Sequence, residues 1–444
     1  MRKVFFKNSL IVIYILFSTA VLPLVFLLII YRLLKKKELP QRWQEKFAVI
    51  NNNFQRNFQQ NSQKSTLIWL HAVSIGEINS AFWLTEQLLK KSPCHILLTS
   101  TTTTSAQIIA DKITQNKLFN ERVFHQFLPF DSYFIVKKFL QFWQPKMAIF
   151  IESEIWPNIL WQLKAKKVPT FLVNAKISPK TYNFWQFLQR NGLNIFVNFT
   201  AIFAQSKNSY ELLQKLFLNN SNLYYYGNLK CLVFPIFFDT SDLLFLQQNI
   251  GERKCLIASN THKTEEEMII QIHQNMVQKF SDLLTIIIIR HPQRKQEVLN
   301  LINNNQIVAV RSLKQKINKQ TQFYLVDTIG EVQLFYNYFA NHFVFMGGSF
   351  ALVGGHNPCE AILHNCAVLS GKNVANNQQI YHELTQNDAC FLVENQNQLQ
   401  QKVQYLLENN NICKTKATKA KEWLHTQNQQ QKIIEILLQE LKGY

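Results

Sequence analysis

The chain opens with one apolar block and then settles into a regular alternation. From Asn8 to Tyr31 there is no charged residue, and the run IVIYILFSTAVLPLVFLLII is almost wholly apolar. That length crosses a bilayer as a helix, and Pro23 is placed to kink it. Tyr31-Arg32-Leu33-Leu34-Lys35-Lys36-Lys37 follows in place of a small-residue cleavage site, so the segment reads as an uncleaved anchor. Residues 50–66 are rich in Asn and Gln and read as a loop or linker. From Leu67 short apolar runs alternate with helical patterns. Predicted strands are Leu67–His71, Ile96–Thr99, Met147–Glu152, Thr170–Asn174 and Ala201–Gln205. After a changeover near 228–245 come Lys254–Ser259, Leu284–Arg290, Phe323–Val326, Phe343–Met346, Ala367–Leu369 and Cys390–Val393. Helical patterns such as Glu265–Gln278 and Glu331–Tyr338 lie between them.

Alternation of this kind predicts βαβ units and parallel sheets. Two such series predict an α/β chain with two Rossmann-like domains facing a cleft. The expected division is an anchor at 1–34 and a basic, Asn/Gln-rich connecting segment at 35–66. A first domain then spans 67–235 and a second 236–444. Ligands of such sheets bind beyond the carboxyl ends of the strands. The loops after Leu70, Ile151, Ser259, Ile289 and Met346 are therefore where chemistry is expected.

Composition narrows the partners. The hydrophobic share of 47% over 444 residues excludes a disordered chain. A net charge of +19 points to anionic partners: nucleic acid, anionic lipid or phosphorylated substrate. Part of that excess is what an AT-rich genome encodes, given 35 Phe and many Asn, Gln, Ile and Lys. No concentrated Lys/Arg stripe exists beyond 32–37, which argues against nucleic acid. The seven cysteines form no CxxC pair and read as buried thiols of a reducing compartment. The anchor is flanked by Arg2, Lys3 and Lys7 on one side and by Arg32, Lys35, Lys36 and Lys37 on the other. That small bias favours a cytoplasmic body, and the basic cluster suits anionic headgroups.

The richest chemistry lies between Asp327 and Glu360. An acidic turn, Asp327-Thr328-Ile329-Gly330-Glu331, opens an amphipathic run. The strand Phe343–Met346 then ends in Gly347-Gly348-Ser349, and Gly354-Gly355 leads into His356-Asn357-Pro358-Cys359-Glu360. Glycines let backbone N–H groups approach a phosphate, and a helix start favours the anion. Glu360 could accept from ribose hydroxyls. Together these suggest a sugar-nucleotide site. Arg290, after a very apolar strand, suits a phosphate, with His291 beside it. Thr261 and His262 are further candidates; dipole complementation accounts for Glu265-Glu266-Glu267. In the first half Ser74, Gly76 and Glu77 stand where a helix should start. Glu152 and Glu154 end a buried strand, a costly place for acids unless they face a cleft or a partner. No Asp or His cluster accompanies them, so no metal is expected.

These residues resemble the 3-deoxy-D-manno-octulosonic acid (Kdo) transferases of lipopolysaccharide synthesis. The resemblance is carried by HAVSIGE at 71, ESEIWPN at 152, NAKIS at 174, AQS at 204, GNLK at 227 and NTHKTEEE at 260. It continues through RHPQR at 290, DTIGE at 327, GGS at 347 and GGHNPCEA at 354, in family order. It implies a GT-B glycosyltransferase, with CMP-Kdo as donor and a lipid A precursor (lipid IVA) as acceptor. It also implies action at the cytoplasmic face of an inner membrane and no cofactor. Family contacts to the cytidylate map onto Arg290, His291, Ile329, Gly330, Glu331, Asn357, Pro358, Cys359 and Glu360. The family's catalytic base maps onto Glu45 in RWQEKF. The chain departs from the family at Gln44, at Lys176 and at Lys372–Ala375. Another membrane-anchored GT-B enzyme with a UDP-sugar donor is the alternative.

Overall fold

The computed structural model describes residues 2–49, 66–217, 220–233, 238–302 and 305–442. The expected linker at 50–66 falls almost entirely outside them. The described chain divides into two compact units. The first comprises Met1–Lys230 with Gln429–Tyr444, and the second Cys231–Asn428.

The first unit is built on a seven-stranded parallel sheet. Its strands are β1 (Leu67–His71), β2 (His95–Ser100), β3 (Val123–Phe127), β4 (Met147–Ile151), β5 (Thr170–Ala175), β6 (Ala201–Ala204) and β7 (Leu223–Tyr225). Their order is β3-β2-β1-β4-β5-β6-β7. Chain direction across the sheet reverses between β1 and β4, which creates a crevice at their carboxyl ends. β1, β2, β4, β5 and β6 are buried along their whole length, as expected of strands covered on both faces. Trp69, Phe139, Trp143 and Phe150 are among the side chains filling one face.

The second unit repeats the plan with another seven-stranded parallel sheet. It holds β8 (Cys255–Thr261), β9 (Leu284–Ile289), β10 (Val308–Val310), β11 (Phe323–Val326), β12 (Phe343–Met346), β13 (Ala367–Gly371) and β14 (Cys390–Val393). The order is β10-β11-β9-β8-β12-β13-β14, so the reversal falls between β8 and β12. Separate apolar clusters cover the two faces. All seven cysteines are buried and unpaired.

Three strands escape the alternation rule. β3 carries buried His125 and Gln126 in its middle, which breaks its apolar run. β7 and β10 are three residues each, too short to show a period. A second difference concerns the last helix, Gln431–Lys442. The sequence pattern runs the second domain to 444, whereas this helix belongs with the first unit. Its stripe of Ile433, Ile434 and Leu437 is buried there, and Gln431 accepts from Lys91 at 3.0 Å.

The apolar segment forms helices Arg2–Ala20 and Leu22–Leu34. Its span Ser9–Leu34 is long and apolar enough to cross a membrane, and most of it is exposed. One face nevertheless meets the first unit. The Tyr14 hydroxyl donates to Asp131 Oδ2 at 2.8 Å, and Asn158 Nδ2 donates to Ser18 Oγ at 3.1 Å. Further along, Phe26 packs edge-on against Trp43 and Phe47.

Candidate active site

In the first unit the chemistry gathers at the carboxyl edge of the sheet. Glu45 lies in the short 3-10 turn Trp43–Phe47 and reaches the end of β3. Its Oε2 accepts from the Phe127 backbone N–H at 2.9 Å. Arg42 holds both carboxylate oxygens, at 2.7 and 2.9 Å, and donates also to the His125 carbonyl at 3.1 Å. The Glu45 side chain keeps 18% of its surface open, enough for a ligand hydroxyl to reach it.

At the crevice between β1 and β4 stand the other candidates. Ser74 and Glu77 form a reciprocal cap on helix Ile75–Lys91. Ser74 Oγ donates to Glu77 Oε1 at 2.8 Å and accepts from the Glu77 N–H at 3.3 Å. Burial raises the Glu77 carboxyl, and the charges of Glu152 and Glu154 add to that. Glu154 accepts from Trp156 Nε1 at 2.8 Å and lies 3.3 Å from His71 Nε2. Lys230 pairs with Glu152 at 2.6 Å and passes close to Gly76, where an added Cβ would sit 3.3 Å from its Cε. Glu152 itself has φ +62°, a left-handed conformation that costs a non-glycine residue energy and marks functional loops. Sequence reasoning missed Lys230 and Arg42, although both lie in the family-like segments GNLK and RWQEKF.

In the second unit the structure changes the role of the glycine-rich loop. Its N–H groups do not point at an empty phosphate cradle. Glu265 Oε1 accepts from Ser349 and Phe350, and Oε2 from Gly348 and from His262, all backbone N–H groups at 2.7 to 3.0 Å. Glu265 is fully buried, and so is Glu266, which pairs with Arg294 at 2.9 Å. Simple dipole complementation therefore fails for both, and they are buried clamps. Gly347 is needed for a different close approach: a Cβ there would lie 2.4 Å from the Asn260 carbonyl oxygen. The helix after Asn357 is also only Cys359–Leu363, too short to supply much of an anion-favouring dipole.

The remaining polar groups cluster at the ends of β8, β9 and β12. Arg290 and His291 are exposed just after β9. The Arg290 guanidinium has no hydrogen-bond or ion-pair partner among the described residues. Burial raises the Glu360 carboxyl, while Gln333 and the charge of Arg290 oppose that rise. Asn357 Oδ1 accepts from the Cys359 N–H at 2.9 Å. Pro358 and Cys359 are buried, so they can offer a ligand only backbone. On the acidic turn Ile329 is 86% exposed and Gly330 has φ +87°. Glu331 is already engaged by Arg311 at 2.6 Å, and Arg311 also holds Asp242. No group of three or more His, Cys, Asp or Glu suited to a metal ion occurs among the described residues.

Comparison with known proteins bears on the family and the fold. The family model described as 3-deoxy-D-manno-octulosonic-acid transferase (kdotransferase) matches residues 41–233. The 3-deoxy-D-manno-octulosonic acid transferase of Rickettsia prowazekii is 30% identical over 97% of this chain and 99% of its own length. That of Haemophilus influenzae is 31% identical over 72% of this chain and 74% of its own. Among solved structures, MurG of Acinetobacter baumannii covers 84% of this chain and 99% of its own at a TM-score of 0.52. Its 10% identity bears on the fold alone. With two parallel-sheet α/β units of the GT-B class and a full-length relative at this identity, the chain belongs to the 3-deoxy-D-manno-octulosonic acid transferase family, glycosyltransferases of lipopolysaccharide synthesis.

Proposed function

We propose that the protein transfers Kdo from CMP-Kdo to a lipid A precursor, lipid IVA, with inversion at the anomeric carbon. The second unit binds the donor. The first unit carries the general base, Glu45, and takes the acceptor near Ser74, Gly76, Glu77, Glu152 and Glu154. An acceptor hydroxyl attacks the anomeric carbon and its proton passes to Glu45. The bond to the phosphate oxygen breaks, and CMP leaves with the electron pair. One base without a covalent nucleophile fits a single displacement. Arg290, His291 and the segment Asn357–Glu360 hold the cytidylate, with Ile329–Glu331 at its edge. The scheme uses no metal and no cofactor.

The observation that carries the donor assignment is the Arg290 guanidinium. It stands without a protein partner among the described residues, at the carboxyl end of β9, within electrostatic reach of Glu360 and two histidines. A departing phosphate is the natural complement of such a group. The apolar segment 9–34 and the exposed Lys35, Lys36 and Lys37 fit attachment to an anionic inner membrane, with the body on the cytoplasmic face.

The test is mass spectrometry of the product made from CMP-Kdo and tetra-acylated lipid A precursor. Competition by CMP and by UDP accompanies it. A product heavier by whole Kdo units, inhibited by CMP and not by UDP, is expected. Inhibition by UDP alone would assign the chain to a UDP-sugar donor instead.

A further inference from the structure

Two histidines face each other beside Arg290. His262 follows β8 and His356 follows the glycine-rich loop. Their Nε2 atoms are 2.8 Å apart and their ring planes lie within 9° of parallel. His291 packs edge-on to His262, with ring centroids 5.4 Å apart. Both members are half-buried, so a ligand can reach them.

The pair is built, not accidental. The Glu265 carboxylate receives the His262 N–H and the Gly348 N–H on one oxygen, which ties both loops to a single anchor. The His356 ring lies against Gly348, where an added Cβ would meet its Cδ2 at 3.0 Å. The His356 N–H donates to Gly347 O at 3.3 Å, and its carbonyl accepts from the Tyr381 hydroxyl at 3.1 Å.

The short Nε2–Nε2 contact requires one N–H and one bare nitrogen between the rings. A neutral pair satisfies this. It can still gain one proton, at the Nδ1 of the ring that donates, without losing the central hydrogen bond. Burial and the surrounding charges now oppose that gain. Burial is the main cause for both rings: it lowers His262, and with His262, Arg290 and His291 nearby it takes His356 down to about 4. Arg290, His291 and Arg294 lower His262 further, and Glu265 alone pulls it upward. An entering anion would reverse this balance.

We propose that His262 and His356, with Arg290, form a subsite for an anionic oxyacid group of the donor and take up one proton when that group binds. The assignment rests on the donor reading above. CMP-Kdo offers two such groups, a phosphodiester and a sugar carboxylate. Arg290 is the only one of the three with a fixed charge, so the histidines add a second positive charge only when an anion is present.

The experiment is calorimetry on the full chain in detergent at pH 7.5. CMP is titrated first, then Kdo into CMP-saturated protein. Each titration is run in two buffers of different ionisation enthalpy, which yields the protons taken up. Uptake approaching one proton is expected in one arm. The CMP arm would assign the subsite to phosphate and the Kdo arm to carboxylate. His262→Gln and His356→Gln keep a hydrogen-bonding end and cannot take the proton. Each should abolish the uptake and weaken that ligand about tenfold, while the other ligand binds as in the parent. No uptake in either arm, or the same uptake in parent and variants, overturns the proposal. Failure of the parent to bind CMP at all removes the donor reading and the subsite with it.

Discussion

Arg42 grips both carboxylate oxygens of Glu45, with Nε 2.7 Å from Oε1 and Nη2 2.9 Å from Oε2. The pair holds the proposed base in one orientation while its open flank stays available. Glu45→Gln should lower turnover by roughly 10²- to 10⁴-fold, the range for a lost general base. CMP affinity should be unchanged, because the substitution lies in the first unit. Arg42→Lys keeps the charge and loses the two-pronged geometry, so its loss should be smaller. Single-turnover rates and CMP calorimetry measure both. Normal turnover in Glu45→Gln would remove Glu45 from the mechanism.

Arg290 and Glu360 should separate kinetically. Arg290→Ala removes a charge opposite the leaving phosphate, whose negative charge grows as the bond breaks. Its effect should appear in kcat as well as in affinity. Glu360→Ala removes a ribose contact that is nearly the same in ground and transition states. It should raise the donor KM with little change in kcat. Each loss should be about 2–4 kcal/mol. Steady-state kinetics with varied CMP-Kdo checks the split, and tight CMP binding by both variants would move the donor site elsewhere.

Glu265 carries a larger structural burden than its place in an acidic triplet suggests. Glu265→Gln leaves one acceptor oxygen and turns an NH₂ group toward backbone donors. Unfolding of the second unit should then be easier by about 3 kcal/mol, the scale of a lost charge-assisted bond with an orphaned buried partner. Urea unfolding measures it. A change below about 0.5 kcal/mol would show that the loop does not need the clamp.

Asp131 should give the first unit an acid-side stability slope. Its carboxyl accepts from the Asn158 and Ile159 N–H groups and from Tyr14, yet burial still takes it up to about 6 from 3.8. A raised acid binds its proton more tightly in the folded state. The stabilisation is complete below pH 3.8 and is lost as pH rises toward 6. The loss should total about 3 kcal/mol over that window. Asp131→Asn should flatten the slope between those limits in thermal unfolding at stepped pH. An unaltered slope would assign it to other groups.

Lys35, Lys36 and Lys37 are exposed just past the apolar helix. Deleting residues 1–30 should therefore leave a folded body that still sediments in part with anionic vesicles at low salt and is released at high salt. Complete release at low salt would show that the helix alone holds it.

Much of this was legible in the chain. Strands β1, β11, β12 and β14 begin and end where their apolar runs do, and the first three are buried along their whole length. The loops after Ile151, Ser259, Ile289 and Met346 do carry the polar clusters, since parallel sheets always open at their carboxyl ends. What could not be read depends on distant partners. β3 hides behind His125 and Gln126, whose polar atoms are satisfied by Ser100 Oγ and Trp143 Nε1. Glu265 looks like a helix-start acid until the loop from Gly348 to Phe350 is seen folded onto it. The His262–His356 pair joins residues far apart in sequence, and neither carries a local signal of the other.

The last helix, Gln431–Lys442, completes a unit that the chain began before its second sheet was laid down. During synthesis β1 to β7 therefore emerge with one apolar seam uncovered, and the whole second unit must be made before Ile433, Ile434 and Leu437 arrive to close it. The first unit is thus held open through most of translation, at the stage when the apolar amino-terminal helix is already available to a membrane. A chain cut short anywhere in the second unit would carry that apolar helix and lack the one that closes the first unit.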